Sequence, residues 1–300
     1  MGMRINPDLS ADVLAGLSLD RKQEDQAIQE LSTGQKVNQP SDDPAAEAGY
    51  IVNTAQSSAV STYLSNISNL QGNMQMADST LNSVITSLTQ AISLGVQGED
   101  STLNQSNLDA IAQQVQGIQQ QILEYANQSF EGNYLFAGTA VKTKPFMTDP
   151  DSSSGVTYVG NAGVDNVEIG DGQAVPANLP GSQIFNAPGA DVFQALADLT
   201  SALQNGTNIP EAENEVQNAF NQVNTQRTFY GTTLDRLNSA SSFLNAESLQ
   251  LTQEDNTLIG ADMATAATQL TQAETALDAT LEAGGSISQQ SLLDYLRFNS

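Results

Sequence analysis

The chain has 300 residues with 34 acidic and nine basic side chains, a net charge of −25, and no cysteine, histidine or tryptophan. That balance excludes a nucleic-acid groove, which needs clustered Lys and Arg, and it disfavours docking on anionic lipid. The missing Cys and His remove disulfides, thiolate or imidazole metal sites, Cys nucleophiles and Ser–His–Asp chemistry.

Apolar residues make up 39% of the chain but aromatics only 5%. Slender helical cores of Leu, Ile, Val and Ala are therefore expected, rather than one bulky core. The first twenty residues carry Arg4, Asp8, Asp12 and Asp20 and lack the apolar run of a secretory leader. No stretch approaches the apolar length of a membrane-spanning helix, so no membrane insertion is expected. Export, where it occurs, would use a route without a cleavable signal peptide.

The first predicted helix places Leu14, Leu17, Ile28 and Leu31 on one seam, with Arg21 and Glu24 at the positions between. It is weakly amphipathic and predicted to be unstable alone. Gly34 ends it. The run Gln39-Pro40-Ser41-Asp42-Asp43-Pro44 then passes from loop to helix, with Pro44 at a first helical position, Asp43 or Ser41 as cap and Glu47 complementing the positive helix end.

From Val60 to Ala91 the apolar positions step by three and four: Val60, Tyr63, Ile67, Leu70, Met74, Ala77, Leu81, Val84, Leu88 and Ala91. A loop-like stretch, Gly95 to Asn107, precedes a second seam of Leu108, Ile111, Val115, Ile118, Ile122 and Tyr125. Between about Gly138 and Pro188 the pattern breaks into Gly, Pro, Asp and Asn, with short β-branched pieces at 156–159 and 167–169. A small β-rich insert is predicted there. Helix returns near Asp191, and a loop from Gln204 to Pro210 leads to the longest rod.

In that rod every seventh residue is apolar: Val216, Val223, Tyr230, Leu237, Leu244, Leu251 and Leu258. The fourth positions hold Phe220 and Leu234 but also Arg227, Ser241, Ser248 and Asp255. Such a rod is about 60 Å long at about 1.5 Å per residue and can bury its stripe only against another rod. The last helix carries Met263, Ala266, Leu270, Ala273, Leu277, Thr280 and Ile287 on one seam, with Leu281, Leu292, Leu293 and Leu296 beside it and Gly284-Gly285 interrupting it. The fold class expected is mainly α, a long antiparallel bundle or coiled coil of paired N- and C-terminal segments with the small insert. The expected domains are 1–45 plus 259–300, 46–138 plus 191–258, and 139–190.

Candidate chemistry is sparse. Asp42 and Asp43 could act as paired carboxylates, but adjacent acids before a helix serve capping better. Asp149-Pro150-Asp151 and the 165–171 stretch lack the spacing and terminal Glu of a calcium loop. Gly160, Gly163, Gly170 and Gly172 lack the strand–Gly–helix order of a phosphate cradle. No catalytic, metal or cofactor residue is assigned.

Arg4-Ile5-Asn6 and the run from Ser32 to Ala46, with Pro40, Ser41, Asp42, Asp43 and Pro44 at its centre, resemble the N-terminal signature of the bacterial flagellin superfamily. Gly132-Asn133-Tyr134-Leu135-Phe136-Ala137-Gly138, then Pro145-Phe146, and the end Ser291-Leu292-Leu293-Asp294-Tyr295-Leu296 are similar to its hook–filament junction branch. The resemblance implies a structural, non-enzymatic flagellar subunit whose terminal segments line an inner tube, whose rods form the next layer and whose insert projects outward. It implies self-assembly into a ring, hook-associated protein 1 and flagellin as partners, an export chaperone, type III export, and an extracellular place on the flagellum serving motility. The assembly contacts expected are Leu14, Leu17, Ile28, Leu31, Leu270, Leu277, Leu281, Leu292, Leu293 and Leu296. A purely intramolecular core is the alternative for those positions. A filament subunit and an acidic hydrolase are the competing readings of function.

Overall fold

The computed structural model describes residues 9–298, and side chains from Ala11 to Ser286. The helices are α1 (Leu9–Thr33), α2 (Pro44–Gly98), α3 (Gln105–Ala126), α4 (Gly181–Phe185), α5 (Val192–Asn205), α6 (Ile209–Ile259) and α7 (Met263–Phe298). Eight short strands lie between α3 and α5: β1 (Ser129–Phe130), β2 (Asn133–Tyr134), β3 (Phe146–Thr148), β4 (Val156–Tyr158), β5 (Asn166–Gly170), β6 (Gln173–Pro176), β7 (Asn186–Ala187) and β8 (Ala190–Asp191). Each pairs antiparallel with its sequence neighbour into a two-stranded ladder. The mainly helical class with a small strand-bearing middle is as expected. The chain divides into two compact units, Met1–Ala59 with Glu247–Ser300 and Val60–Ala246, both boundaries falling inside α2 and α6.

In the larger unit the stripes of α2 and α6 are buried as their periodicity predicts. Ile67, Leu70, Met74, Ala77, Leu81, Val84, Leu88 and Ala91 lose their surface on α2, and Val216, Val223, Tyr230, Leu237 and Leu244 on α6. The two helices run in opposite directions, since Gln71 Nε2 donates to Asn238 Oδ1 at 2.9 Å while Asp78 meets Arg227. Arg227, the cation inside the seam, forks onto both Asp78 oxygens at 2.7 and 3.1 Å and onto Asn82 at 2.9 Å. The carboxylate beside it holds the guanidinium pKa above its ordinary value. A bidentate fork of this kind fixes register as well as adding energy. α3 packs on α5 through Leu108, Ile111, Val115, Ile118 and Ile122 on one side and Val192, Leu196, Leu199 and Leu203 on the other.

Three boundaries differ from expectation, two of them because of close packing. α2 continues through Gly95 to Gly98, where a loop was expected. A Cβ on Gly98 would collide with the Leu203 side chain, and one on Gly95 would press on Glu213 at 3.1 Å, so these glycines admit neighbours rather than end the helix. Likewise α7 runs unbroken through Gly284-Gly285, and Gly284 lies 3.2 Å from Val13 by the same measure. The loop expected from Gln204 to Pro210 shrinks to Gly206–Asn208, because Gly206 (φ 67°) and Asn208 (φ 58°) make the reversal in left-handed backbone.

Some of the few aromatics gather in one place, beside the end of α3 and the start of α5. Phe136, Phe146, Tyr158, Phe185 and Phe193 form one ring cluster, with neighbouring centroids 5.0–6.2 Å apart. All four phenylalanines are fully buried. The Asn127 side chain ties the cluster to the end of α3, donating to the carbonyls of Leu123 and Phe146 and accepting from the Phe146 N–H at 2.9 Å.

Two acids of the larger unit titrate upward. Burial, then the charge of Glu99, raises the Glu213 carboxyl, and burial, then Asp198, raises Glu215. Both therefore bind protons more readily in the folded chain, so their charged forms oppose folding at neutral pH. That penalty disappears as pH falls below the ordinary glutamate value of 4.5. Glu213→Gln and Glu215→Gln are expected to raise thermal stability slightly at pH 7, by no more than about 0.5 kcal/mol each. The gain should vanish near pH 4, which melting curves across pH will check.

Candidate assembly interface on the terminal helices

The smaller unit is built where two chain reversals meet. Gly34, in left-handed backbone at φ 71°, ends α1 and its carbonyl accepts the Ala261 N–H at 2.9 Å. The Lys36 N–H donates to the Ile259 carbonyl at 2.7 Å, and Lys36 Nζ reaches the Thr257 carbonyl. Val37, Ala46 and Ile259 form a local core under Tyr50 and Leu258.

The acidic signature loop serves this junction. One Asp42 oxygen accepts the N–H groups of Asn38 and Gln39 at 3.1 and 2.9 Å. Asp43 accepts those of Ala45 and Ala46, both at 3.0 Å, so it is the cap and Pro44 the first helical residue. Both carboxylates are committed to backbone donors, which is capping and not acid–base pairing. At the start of α7, Asp262 caps in the same way, accepting from Ala264 and Thr265, and these bonds lower its pKa. Asp43→Ala should cost about 1 kcal/mol, read as a lower melting midpoint of the smaller unit by circular dichroism.

α1 and α7 pack closely and antiparallel. Gly16 lies near Thr280, whose hydroxyl donates to Asp20 at 2.7 Å, and Val13 meets Gly284. Their seam is made of small residues. Ala27, Ala266 and Ala273 are buried, while the leucines beside them are not. Small side chains let two helices approach but bury little apolar area each.

This geometry sorts the expected assembly residues. Leu17 and Leu31 of α1, and Leu270 and Leu277 of α7, lean into the seam and are half-buried. Leu14, Ile28 and Leu281 lie outside it, 64%, 47% and 49% exposed. Leu292, Leu293 and Leu296 lie on the α7 backbone but outside the described side chains. On α1 the heptad thus splits. Its Leu17–Glu24–Leu31 line faces α7, and its Leu14–Arg21–Ile28 line faces solvent. Leu19 and Met263 are also open, 56% and 49% exposed, and neither stood among the expected contacts. A helical-wheel placement of α7 against α1 would have found them.

The second motif, Gly132 to Gly138, lies in the larger unit, between β1 and β3. Glu131 (φ 50°) and Gly132 (φ 76°) make the tight turn of the β1–β2 hairpin, where two left-handed residues match the twist of the strands. Asn133, Tyr134 and Leu135 are half-buried, and Phe136, Ala137 and Gly138 are buried. Tyr158 Oη donates to the Phe136 carbonyl at 3.1 Å, and the Thr139 N–H donates to Asn161 Oδ1 at 2.8 Å. The motif shapes the hairpin turn and supplies Phe136 to the ring cluster. Asp149 likewise spends its carboxylate on turn bonds, accepting from Thr157 Oγ1 at 2.6 Å and the Asp151 N–H, which lower its pKa. Among the described residues no cluster of three acids could hold a metal ion, and no helix is long and apolar enough to cross a membrane.

Terminal helices paired through a thin small-residue seam, with bulky apolar flanks left open, define a long-helix structural subunit. Comparison with known proteins agrees with that class. The model of the bacterial flagellin N-terminal helical region matches residues 10–141, and that of the C-terminal helical region matches residues 214–296. The chain is 26% identical over 281 residues to flagellar hook-associated protein 3 of Escherichia coli (strain K12), covering 85% of this chain and 87% of that one. Its fold is similar to a flagellar hook-associated protein structure from Vibrio parahaemolyticus, with TM-score 0.66 at 21% identity, covering 73% of this chain and 99% of that one. It is also similar to the flagellar junction protein FlgL from Legionella pneumophila, with TM-score 0.61 at 12% identity, covering 71% and 100%. The two matched regions span more than two thirds of the sequence, and the chain belongs to the bacterial flagellin family.

Proposed function

We propose that this chain is a structural subunit of the bacterial flagellum, the junction adaptor that joins hook to filament. The observation that carries this reading is the open apolar flank of the terminal helices, Leu14, Ile28 and Leu281, on a unit whose internal seam is lined by Ala27, Ala266 and Ala273. Similarity to hook-associated protein 3 over most of the chain supports the junction role over a filament subunit. In this reading residues 1–45 and 259–300 are the polymerising domain, 46–138 and 191–258 the rod domain, and 139–190 the outer insert. Copies of the chain form a ring that contacts hook-associated protein 1 on the hook side and flagellin on the filament side. A chaperone guards the open flanks before type III export, and the assembled ring lies outside the cell.

Ordering a loose helix costs about 1–2 kcal/mol per residue of backbone entropy, which shared contacts in the ring offset. Assembly is then folding coupled to binding. The experiment is deletion of the gene followed by electron microscopy. Hooks without filaments and flagellin shed into the medium support the junction role. Filaments of normal length on the deletion strain overturn it.

A further inference from the structure

Between α2, the β1–β2 hairpin and the segments flanking the β5–β6 ladder, the larger unit holds a recess of about 160 Å³. Met74 and Leu135 give it an apolar wall, and Asn73 and Asn133 add two carboxamides. Tyr230 of α6 lies at its buried end, and Asp165 stands exposed at its rim. Tyr230 is only 2% exposed, yet its hydroxyl makes no well-formed hydrogen bond among the described residues. The polar group that approaches it is the Leu179 backbone N–H, a donor, so the O–H proton in particular has no acceptor. Buried polar groups are normally met by a partner, and here the open side is the recess. The Asn73, Asn133 and Asp165 side chains also make no hydrogen bond among the described residues. Asp165 is nonetheless held in place: its N–H donates to Asn178 Oδ1 at 2.8 Å, and Asn178 Nδ2 donates to the Gly163 carbonyl.

The unmet donors and acceptors select the occupant. The Tyr230 O–H needs an acceptor, which an ammonium or guanidinium group does not offer. The Asp165 carboxylate only accepts, and among the described residues no Lys or Arg lines the recess, so a phosphate or carboxylate finds no counter-charge. Lys142, beside the lining Val141, spends its ammonium on the Gly132 carbonyl at 3.1 Å. A hydroxyl both donates and accepts, and the two carboxamides can meet it in either role. At about 10–15 Å³ of such volume per water-sized group, the space takes roughly ten heavy atoms, the size of one sugar ring. An apolar wall with a few placed polar groups is the usual make-up of a small-molecule site. We propose that this recess binds one neutral sugar ring, whose hydroxyls accept from Tyr230 and donate to Asp165 while Met74 and Leu135 cover its C–H face. The ring is a free sugar or the end of a glycan, and the site stands whether or not the chain is a junction subunit.

The test is saturation-transfer NMR on the purified full-length chain with glucose, galactose and mannose at millimolar concentration, and with sodium acetate and ethylammonium as controls. At least one sugar is expected to receive signal, and neither control. Tyr230→Phe removes only the hydroxyl and should weaken that sugar about tenfold. Its melting midpoint should stay the same or rise, because the free chain loses no hydrogen bond. Asp165→Asn, at an exposed position, should weaken the sugar too without lowering the midpoint. Competition by the matching polysaccharide, dextran for glucose, would assign the ring to a glycan end, and its absence would assign it to a free sugar. Silence from all three sugars overturns the proposal, as does undiminished signal in both variants. So do signal from acetate or ethylammonium that the sugar displaces, and crystals grown with the sugar that hold only water on Tyr230.

Discussion

Removing the last ten residues, 291–300, is expected to abolish filament formation while leaving the larger unit folded. The segment ends α7, and it carries Leu292, Leu293 and Leu296, three of the ten apolar residues proposed for subunit contact. The larger unit, Val60–Ala246, contains none of it and has its own buried stripes on α2, α3, α5 and α6. Loss of function should therefore separate cleanly from loss of fold. Complementation with the truncated gene should yield filament counts no higher than the deletion strain. The purified truncated chain should keep the cooperative melting of the larger unit. Retained filaments would defeat the assignment of assembly to the termini.

The largest effect on stability is expected from Phe146→Ala. Phe146 is fully buried and its ring contacts Tyr158, Phe185 and Phe193 at centroid distances of 5.0, 5.3 and 5.4 Å. Truncating such a residue costs about 3–5 kcal/mol through lost transfer energy and the cavity left behind. That is a large share of a typical domain stability of about 5–15 kcal/mol. Denaturant unfolding of the purified chain should show the loss. Phe243→Ala, removing a ring that is 68% exposed, should change stability by less than about 0.5 kcal/mol. Equal effects at the two positions would mean that the aromatic cluster is not a core.

How much could be read from the residues alone varies with the length over which a pattern repeats. The α6 heptads from Val216 to Leu251 and the α2 seam from Val60 to Ala91 repeat often enough to announce their buried faces, and they are buried, with Tyr63 only partly covered. The N-cap at Asp43 and the stop at Gly34 rest on local backbone chemistry and were equally legible. The strands of the insert hold two to five residues each, too short for a period to show. The aromatic cluster gathers Phe136, Phe146, Phe185 and Phe193 from across almost sixty positions, and no local signal marks them as neighbours. Glycine misled in both long helices, because at Gly98 and Gly284 it serves close approach rather than a break.

At the termini the residue types were legible and their orientation was not. Leu14, Leu17, Ile28 and Leu31 all read as one seam. Which of its two lines faces α7 depends on where Ala266, Ala273 and Gly284 allow contact. Those small residues draw the Leu17–Leu31 line inward and leave Leu14, Arg21 and Ile28 outside.

Hydrogen exchange along α1 and α7, in the purified chain and in assembled flagella, measures whether these two helices gain their stability from neighbours. Amides from 11–31 and 264–286 should exchange orders of magnitude faster in the free chain than in the flagellum, while those of the α2 and α6 stripes stay protected in both. Equal, strong protection of the terminal amides in the free chain would contradict the account.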